Sequence, residues 1–227
     1  CGHIQLHVTS PSPTPSNHSY KPLNWVSKKP ICRKKKPFGD TLSPIWFNEI
    51  MFLRHLQPHP YVIPISGLIH TPMVDTDASV SLPAPEIVMP FCIQDLRSVI
   101  YQPCILKYRI DAEARQSRIR LLHQITLALA HCHDKNIVYG DLKPDNVMLQ
   151  SLEHIQLIDF GLSTWKGESG VQSQSFESTR DYMPPERSLF PNSVHPSTDV
   201  WGLGALMWEW LQAWSHIRMS SNSTYTS

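Results

Sequence analysis

The chain has 227 residues, 20 Lys and Arg against 19 Asp and Glu, a net charge of +1 and 41% hydrophobic residues. That length accommodates a two-lobed domain with a sizeable core, and the near-neutral balance argues against general affinity for nucleic acid or membrane surfaces. Cys1, Cys32, Cys92, Cys104 and Cys132 are odd in number and lack paired spacing, which fits a reducing compartment, cytosol or nucleus, better than a disulfide framework.

In chain order, Gly2 leads into a strand over residues 4–8. Residues 9–22, with Pro11, Pro13 and Pro15 among serines, read as a spacer without chemistry. A second strand over residues 23–29 places Trp25, Ser27 and Lys29 on one face and Val26 and Lys28 on the other, so one lysine alone can face a given site. The basic run from Arg33 to Lys36 reads as a solvated face. Ser43-Pro44 then opens a helix whose apolar positions are Phe47, Ile50, Met51 and Leu53. Residues 86–92 read as a buried strand ending in a connector, and Ile93 to Leu96 begin another helix.

Ile119, Leu122, Ile125, Leu129 and Cys132 recur at helical spacing and predict a long helix. His131 and His133 flank Cys132 and face apart, so zinc is not expected. Residues 147–149 and 155–158 form two apolar runs that suit a hairpin. The apolar stretch near residues 200–214 contains Glu209 and is too short to span a membrane. No internal repeat is evident.

The chemistry concentrates in Tyr139-Gly-Asp-Leu-Lys-Pro-Asp-Asn146 and Asp159-Phe-Gly161. Phosphoryl transfer relies on positioning and on neutralising charge on phosphate oxygens. Asn146 and Asp159 offer the hard oxygen ligands that magnesium takes. Asp141 supplies an acceptor for the proton of an attacking hydroxyl, and Lys143 a cation to balance the transferred phosphate.

These runs, with Pro184-Pro-Glu186 and Asp199-Val-Trp-Gly-Leu-Gly204 in order behind them, resemble the signature set of the eukaryotic protein kinases, serine/threonine type. The resemblance implies an α+β fold with a small β-rich N-lobe (residues 1–92) and a mostly helical C-lobe (93–214), truncated at both ends, followed by a disordered tail (215–227). It implies ATP and Mg2+ as cofactors and a protein Ser or Thr hydroxyl as acceptor. Asp141, Lys143 and Asn146 would be catalytic, with Asn146 and Asp159 as metal ligands. Gly2 would be the last glycine of a phosphate-covering loop, Lys29 the phosphate lysine and Glu49 its helix partner. Met89 would flank the adenine pocket, with the backbone of Phe91 and Cys92 hydrogen-bonding the base. Thr179 would bond the catalytic aspartate and lysine.

Two departures bear on mechanism. The family's His-Arg-Asp stands here as Tyr139-Gly140-Asp141, which removes the arginine that contacts a phosphorylated activation segment, so switching by that route is not expected. Ser163, Thr164, Ser169, Ser173 and Ser175 read as a solvated loop. Glu186 lacks the arginine with which the family's last helices would pair it, and the helix over residues 201–214 would expose an apolar Trp/Leu face. A noncatalytic pseudokinase scaffold and a truncated, non-functional fragment are the alternatives to an active kinase.

Overall fold

The computed structural model describes residues 2–8, 24–30, 44–70, 85–101, 112–168, 181–190 and 194–222. Among them, β1 (Gly2–Val8), β2 (Asn24–Pro30), β3 (Gly67–Ile69) and β4 (Glu86–Pro90) form an antiparallel sheet in the order β1-β2-β4-β3. Helix α1 (Pro44–His55) begins with proline at its first turn, where no amide hydrogen is needed and the fixed φ suits the helix. Its buried face is Trp46, Glu49, Phe52 and Leu53, whereas Phe47 and Met51 of the expected apolar stripe are exposed. The stripe is rotated because Trp46, whose indole donates to the Pro85 carbonyl at 3.1 Å, anchors the helix to the segment leading into β4.

Beyond β4, the short strand β5 (Gln94–Asp95) leads into α2 (Leu96–Tyr101). Asp95 caps that helix: its carboxylate accepts from the Ser98 amide at 2.7 Å and the Ser98 hydroxyl at 3.0 Å. The long helix α3 (Ala112–Asp134) buries Leu121, Ile125, Leu129 and Cys132 and leaves Ile119 exposed. β6 (Ile137–Val138) pairs with β9 (Thr164–Trp165), and β7 (Val147–Ser151) forms the expected hairpin with β8 (His154–Leu157). Helices α4 (Glu186–Leu189) and α5 (Pro196–Asn222) follow. The architecture is two-lobed and α+β.

The tail boundary needs correction. Helix α5 continues past residue 214 to Asn222, because no glycine or proline interrupts it after Gly204. Along α5, Leu206 and Trp210 are buried while Val200, Trp201, Met207, Trp208 and Leu211 are exposed. Glu186 is exposed at the start of α4, so it carries no buried-charge penalty. Among the described residues no helix is long and apolar enough to cross a membrane.

One core runs through both lobes, from Phe52 and Leu56 through Leu157 and Phe160 to Leu129 and Leu206. The segment after α1 is its strut. The Ile63 amide donates to the Leu157 carbonyl at 3.0 Å, the Leu157 amide to Tyr61 at 2.9 Å, and His131 Nε2 donates to the Leu56 carbonyl at 2.9 Å. His59 stacks on His131 with ring centroids 4.3 Å apart, and its Nδ1 accepts from the Tyr61 amide at 3.3 Å.

A second tie fixes the loop that leads into Asp141. Asp199, fully buried on α5, accepts from the Tyr139 amide at 2.9 Å and the Gly140 amide at 2.7 Å. His133 Nε2 lies 2.7 Å from the same carboxylate. The buried acid therefore converts a loop with no ladder of its own into a fixed shelf.

Two outcomes follow from these ties. Burial and the neighbouring His131 ring hold the His59 pKa below its usual value, and its bond from Tyr61 requires a neutral Nδ1. The unfolded chain therefore protonates first, at about 6.5. Stability is present above that value and falls as pH drops through it; a series of melts from pH 8 to 5 should show this slope, reduced in His59→Gln. Asp199→Ala strands two buried amides at about 1–3 kcal/mol each. A lowered urea midpoint with unchanged slope is the expected reading, with Asp199→Asn intermediate.

Candidate active site

The lysine that meets Glu49 and Asp159 is Lys28, not the expected Lys29. Lys28 Nζ donates to both carboxylate oxygens of Glu49, at 2.6 and 2.8 Å, and lies 3.3 Å from Asp159 Oδ1. Lys29 is instead half-exposed and reaches Glu86 at 3.2 Å on the sheet surface. Strand register explains the correction. Val26 pairs with Met89 and Lys28 with Ile87, and directly opposed residues share a face. Both partners are buried, so the face bearing Val26 and Lys28 is the one that meets the core and α1. The apolar Val26 was the available signal.

Burial opposes charge on Lys28, and Asp159 and Glu49 together overcome it, holding the ammonium pKa above its ordinary value. Asp159 shows the complement: burial works against its ionisation, and Lys28 nevertheless brings its carboxyl below the usual value. Burial holds Glu49 above its usual value against the pull of Lys28, and the two short contacts keep the pair together.

Asp159 adopts a left-handed backbone, φ 58° and ψ 72°, before a tight turn over Phe160–Leu162. This strained conformation at a non-glycine residue is a mark of functional sites. Gly161 follows because a Cβ there would collide with the Ile45 side chain and lie 3.2 Å from its carbonyl. Helix α1 thus packs directly on the turn that carries Asp159.

On the opposite wall, Lys143 Nζ donates to Asp141 Oδ2 at 2.8 Å, and Asn146 Nδ2 donates to the same oxygen and to the Asp141 carbonyl, each at 2.9 Å. Asp141 Oδ1 is buried and makes no hydrogen bond to a described residue. Burial raises the Asp141 pKa, against the pull of Lys143 and Asn146. Val147 pairs with Leu157, and the Ile158 amide donates to the Asn146 carbonyl at 3.0 Å, so the open end of the β7–β8 hairpin sets Asn146 beside the strand leading to Asp159. Because Asn146 spends its amide nitrogen on Asp141, its oxygen is left for another partner. With the Asp159 carboxylate, that donor set fits magnesium, which takes carboxylate and amide oxygens plus phosphate and water.

At the end of β4 and in the connector after it, Met89 and Cys92 are buried. The Phe91 amide already donates to the Asn24 carbonyl at 3.1 Å, closing the sheet, so it is not available to a base. Proline at position 90 has no amide hydrogen, which leaves Cys92 as the donor of that connector. Gly2 opens β1 opposite Pro30. Ser163 and Thr164 are buried, the former donating to the Tyr139 carbonyl at 3.0 Å, so neither belongs to a solvated loop. Thr179, Ser169, Ser173 and Ser175 lie outside the described residues.

The sequence reading also missed Arg97. It pairs bidentately with Asp145 at 2.8 Å, reaches Glu209 at 3.1 Å and contacts Tyr182, whose hydroxyl donates to Glu209. This network joins α2 and α5 to the turn holding Asn146. No local pattern pointed to it, since its members lie far apart in sequence.

A protein kinase domain model matches residues 24–226. The chain is 36% identical over 120 residues to the serine/threonine-protein kinase SCH9 of Saccharomyces cerevisiae, covering 52% of this chain and 14% of that protein. It is 38% identical over 92 residues to the serine/threonine-protein kinase sck1 of Schizosaccharomyces pombe, covering 40% and 13%. With a putative ribosomal protein S6 kinase alpha-1 of Caenorhabditis elegans it shares 44% identity over 91 residues, covering 40% and 11%. Each overlap is therefore a small part of the relative's length. With a match spanning β2 to α5, the chain belongs to the protein kinase domain family.

Proposed function

We propose that this chain forms the catalytic cleft of an ATP- and Mg2+-dependent protein serine/threonine kinase. The observation that carries the reading is the nearness of two clusters, Lys28 with Glu49 and Asp159, and Asp141 with Lys143 and Asn146, close enough for the charge of Asp159 to act on Asp141 and that of Lys143 on Asp159. Relatives named as serine/threonine-protein kinases support the choice of acceptor.

In this reading Lys28, aligned by Glu49, holds phosphate oxygens, and Asp159 and Asn146 hold magnesium. Bound there, magnesium neutralises charge on the phosphates. The acceptor hydroxyl gives its proton to Asp141 Oδ1, the oxygen with no described partner, while its oxygen bonds the terminal phosphorus and the bond from that phosphorus to the bridging oxygen of ADP breaks. Lys143 balances charge on the phosphoryl group in flight. Met89 and the Cys92 amide border the adenine, and Gly2 stands at the start of the strand covering the phosphates. Residues 1–92 act as the nucleotide lobe and residues from 93 onward as the acceptor lobe. The carboxylate count favours this over a scaffold, since a binding module gains nothing from a buried, unclaimed acid oxygen beside a lysine.

Two sets of variants test the assignment. Asp141→Asn should retain Mg·ATP binding and lower phosphate transfer to a Ser/Thr peptide by about 10²–10⁴-fold, the range for removing a general base. Transfer at an undiminished rate would refute the enzyme assignment, whereas nucleotide binding with no transfer in the unaltered protein would favour the scaffold. Lys28→Met should abolish measurable transfer and lower stability by about 3–5 kcal/mol through the stranded Glu49. Lys29→Met should change stability by less than about 1 kcal/mol, as for an exposed pair, and leave transfer near its starting rate.

A further inference from the structure

Arg187 is an anomaly of this site. It sits on α4, a short helix following the Pro184-Pro185 turn, yet its side chain turns inward and only 6% of the residue is exposed. Its Nη1 donates to the Gly140 carbonyl at 3.2 Å. Burying a guanidinium is costly, and hydrophobic replacements of buried charges are often neutral or stabilising. A charge retained in such a place calls for something more than packing.

The carbonyl it holds belongs to the peptide unit joining Gly140 to Asp141. Peptide units are rigid planes, so fixing that oxygen fixes the direction in which the chain enters Asp141. Gly140 is the weak point before it. Its φ is +81°, and a Cβ would lie 3.1 Å from the Leu162 carbonyl, so glycine is the residue that fits. Glycine also leaves the backbone soft. Its amide is held by Asp199 Oδ1 at 2.7 Å, which restrains the plane before it, while Arg187 restrains the plane after it. The two tethers come from different elements, α5 and α4, and clamp one residue on both sides.

We infer that Arg187 is a positioning residue for Asp141, acting through the Gly140 carbonyl to orient the plane from which the proposed base projects. The inference rests on the kinase reading above. It assigns a purpose to the cation that stands against the loop in the absence of an arginine at position 140. Burial holds the Arg187 pKa below its ordinary value, against the pull of Asp141 and Asp199, whose charges favour the guanidinium. Its bond to the loop goes to a backbone oxygen.

The test compares Arg187→Met, Arg187→Lys, Asp141→Asn and the Arg187→Met/Asp141→Asn double variant in the protein that contains this chain. Turnover, KM for ATP and for a Ser/Thr peptide, nucleotide affinity and the melting temperature are measured for each. Misplacing a reacting group by about 1 Å can cost about 100-fold in rate. Arg187→Met should lower kcat by about 10- to 100-fold with both KM values, nucleotide affinity and melting temperature held, and Arg187→Lys should recover part of the loss. On the Asp141→Asn background the methionine should cost nothing further. Turnover unchanged in Arg187→Met, while Asp141→Asn is inactive, overturns this inference alone. A loss of melting temperature and nucleotide affinity together, or a further loss in the double variant, also overturns it in favour of a structural role. Full turnover in Asp141→Asn overturns the base assignment itself and this inference with it.

Discussion

The buried carboxylate of Asp199 is the constraint on which the site's geometry depends. A loop carrying phosphoryl-transfer groups cannot use ladder hydrogen bonds for rigidity, because its side chains must face an open cleft. Here the stiffness is imported from α5, whose acid accepts the amides of Tyr139 and Gly140 and meets His133 at the end of α3. An ionised acceptor makes stronger hydrogen bonds than a neutral one, and burial spares them from competition by water. The end of α3 and the loop just after it are thereby fixed to one acid on a helix distant in sequence.

The upper half of the site works by a different principle. Lys28 is satisfied by acids from two elements, Glu49 on α1 and Asp159 beyond β8, so its position reports on both. Helix α1 is held in turn by Trp46 at the β4 entrance and by its close approach to Gly161. Any displacement of α1 must stretch a buried ion pair and reopen packing on the Phe160 turn. The strut from Leu56 to Ile63 limits that displacement by docking the end of α1 on α3 and β8. The coupling of helix position to Lys28 is thus a matter of contacts, and the sheet serves chiefly to present that lysine from below.

Much of this was legible in the sequence where local pattern carried the information. The hairpin around Asn146 and Asp159, the long helix before the catalytic loop and the start of α1 at Pro44 all follow from apolar period and helix-start chemistry. Errors arose where the deciding contact was remote. The resemblance of Val26-Ser-Lys-Lys29 to the family's lysine motif points to Lys29, and alternation gives two faces without saying which is inward; the partner strand, through Ile87 and Met89, decides that. Helical spacing puts Phe47 and Met51 on the buried stripe, but Trp46 turns the helix by its bond to Pro85. The Phe91 amide is claimed by the Asn24 carbonyl, a partner that no local pattern shows. Arg187 and Arg97 were invisible for the same reason, since a charged residue in a short helix reads as surface until its partner is in view.

The triplet Tyr139-Gly140-Asp141 shows how local substitutions can be absorbed by rewiring. Tyr139 is fully buried, its hydroxyl donates to the Ile158 carbonyl at 2.5 Å and its ring meets Phe160 at 5.0 Å. Its own carbonyl accepts from Ser163. One side chain and one carbonyl therefore fasten the catalytic loop to both sides of Asp159, tying the proposed base to the proposed metal ligand through buried contacts. Gly140, for its part, buys a left-handed turn that lets the chain pass beneath the Leu162 carbonyl. A larger residue at 140 would have to leave that path, and the cation found beside this loop is Arg187 of α4. The altered triplet is thus a coherent packing solution, after which Lys143 and Asn146 both bond the Asp141 carboxylate.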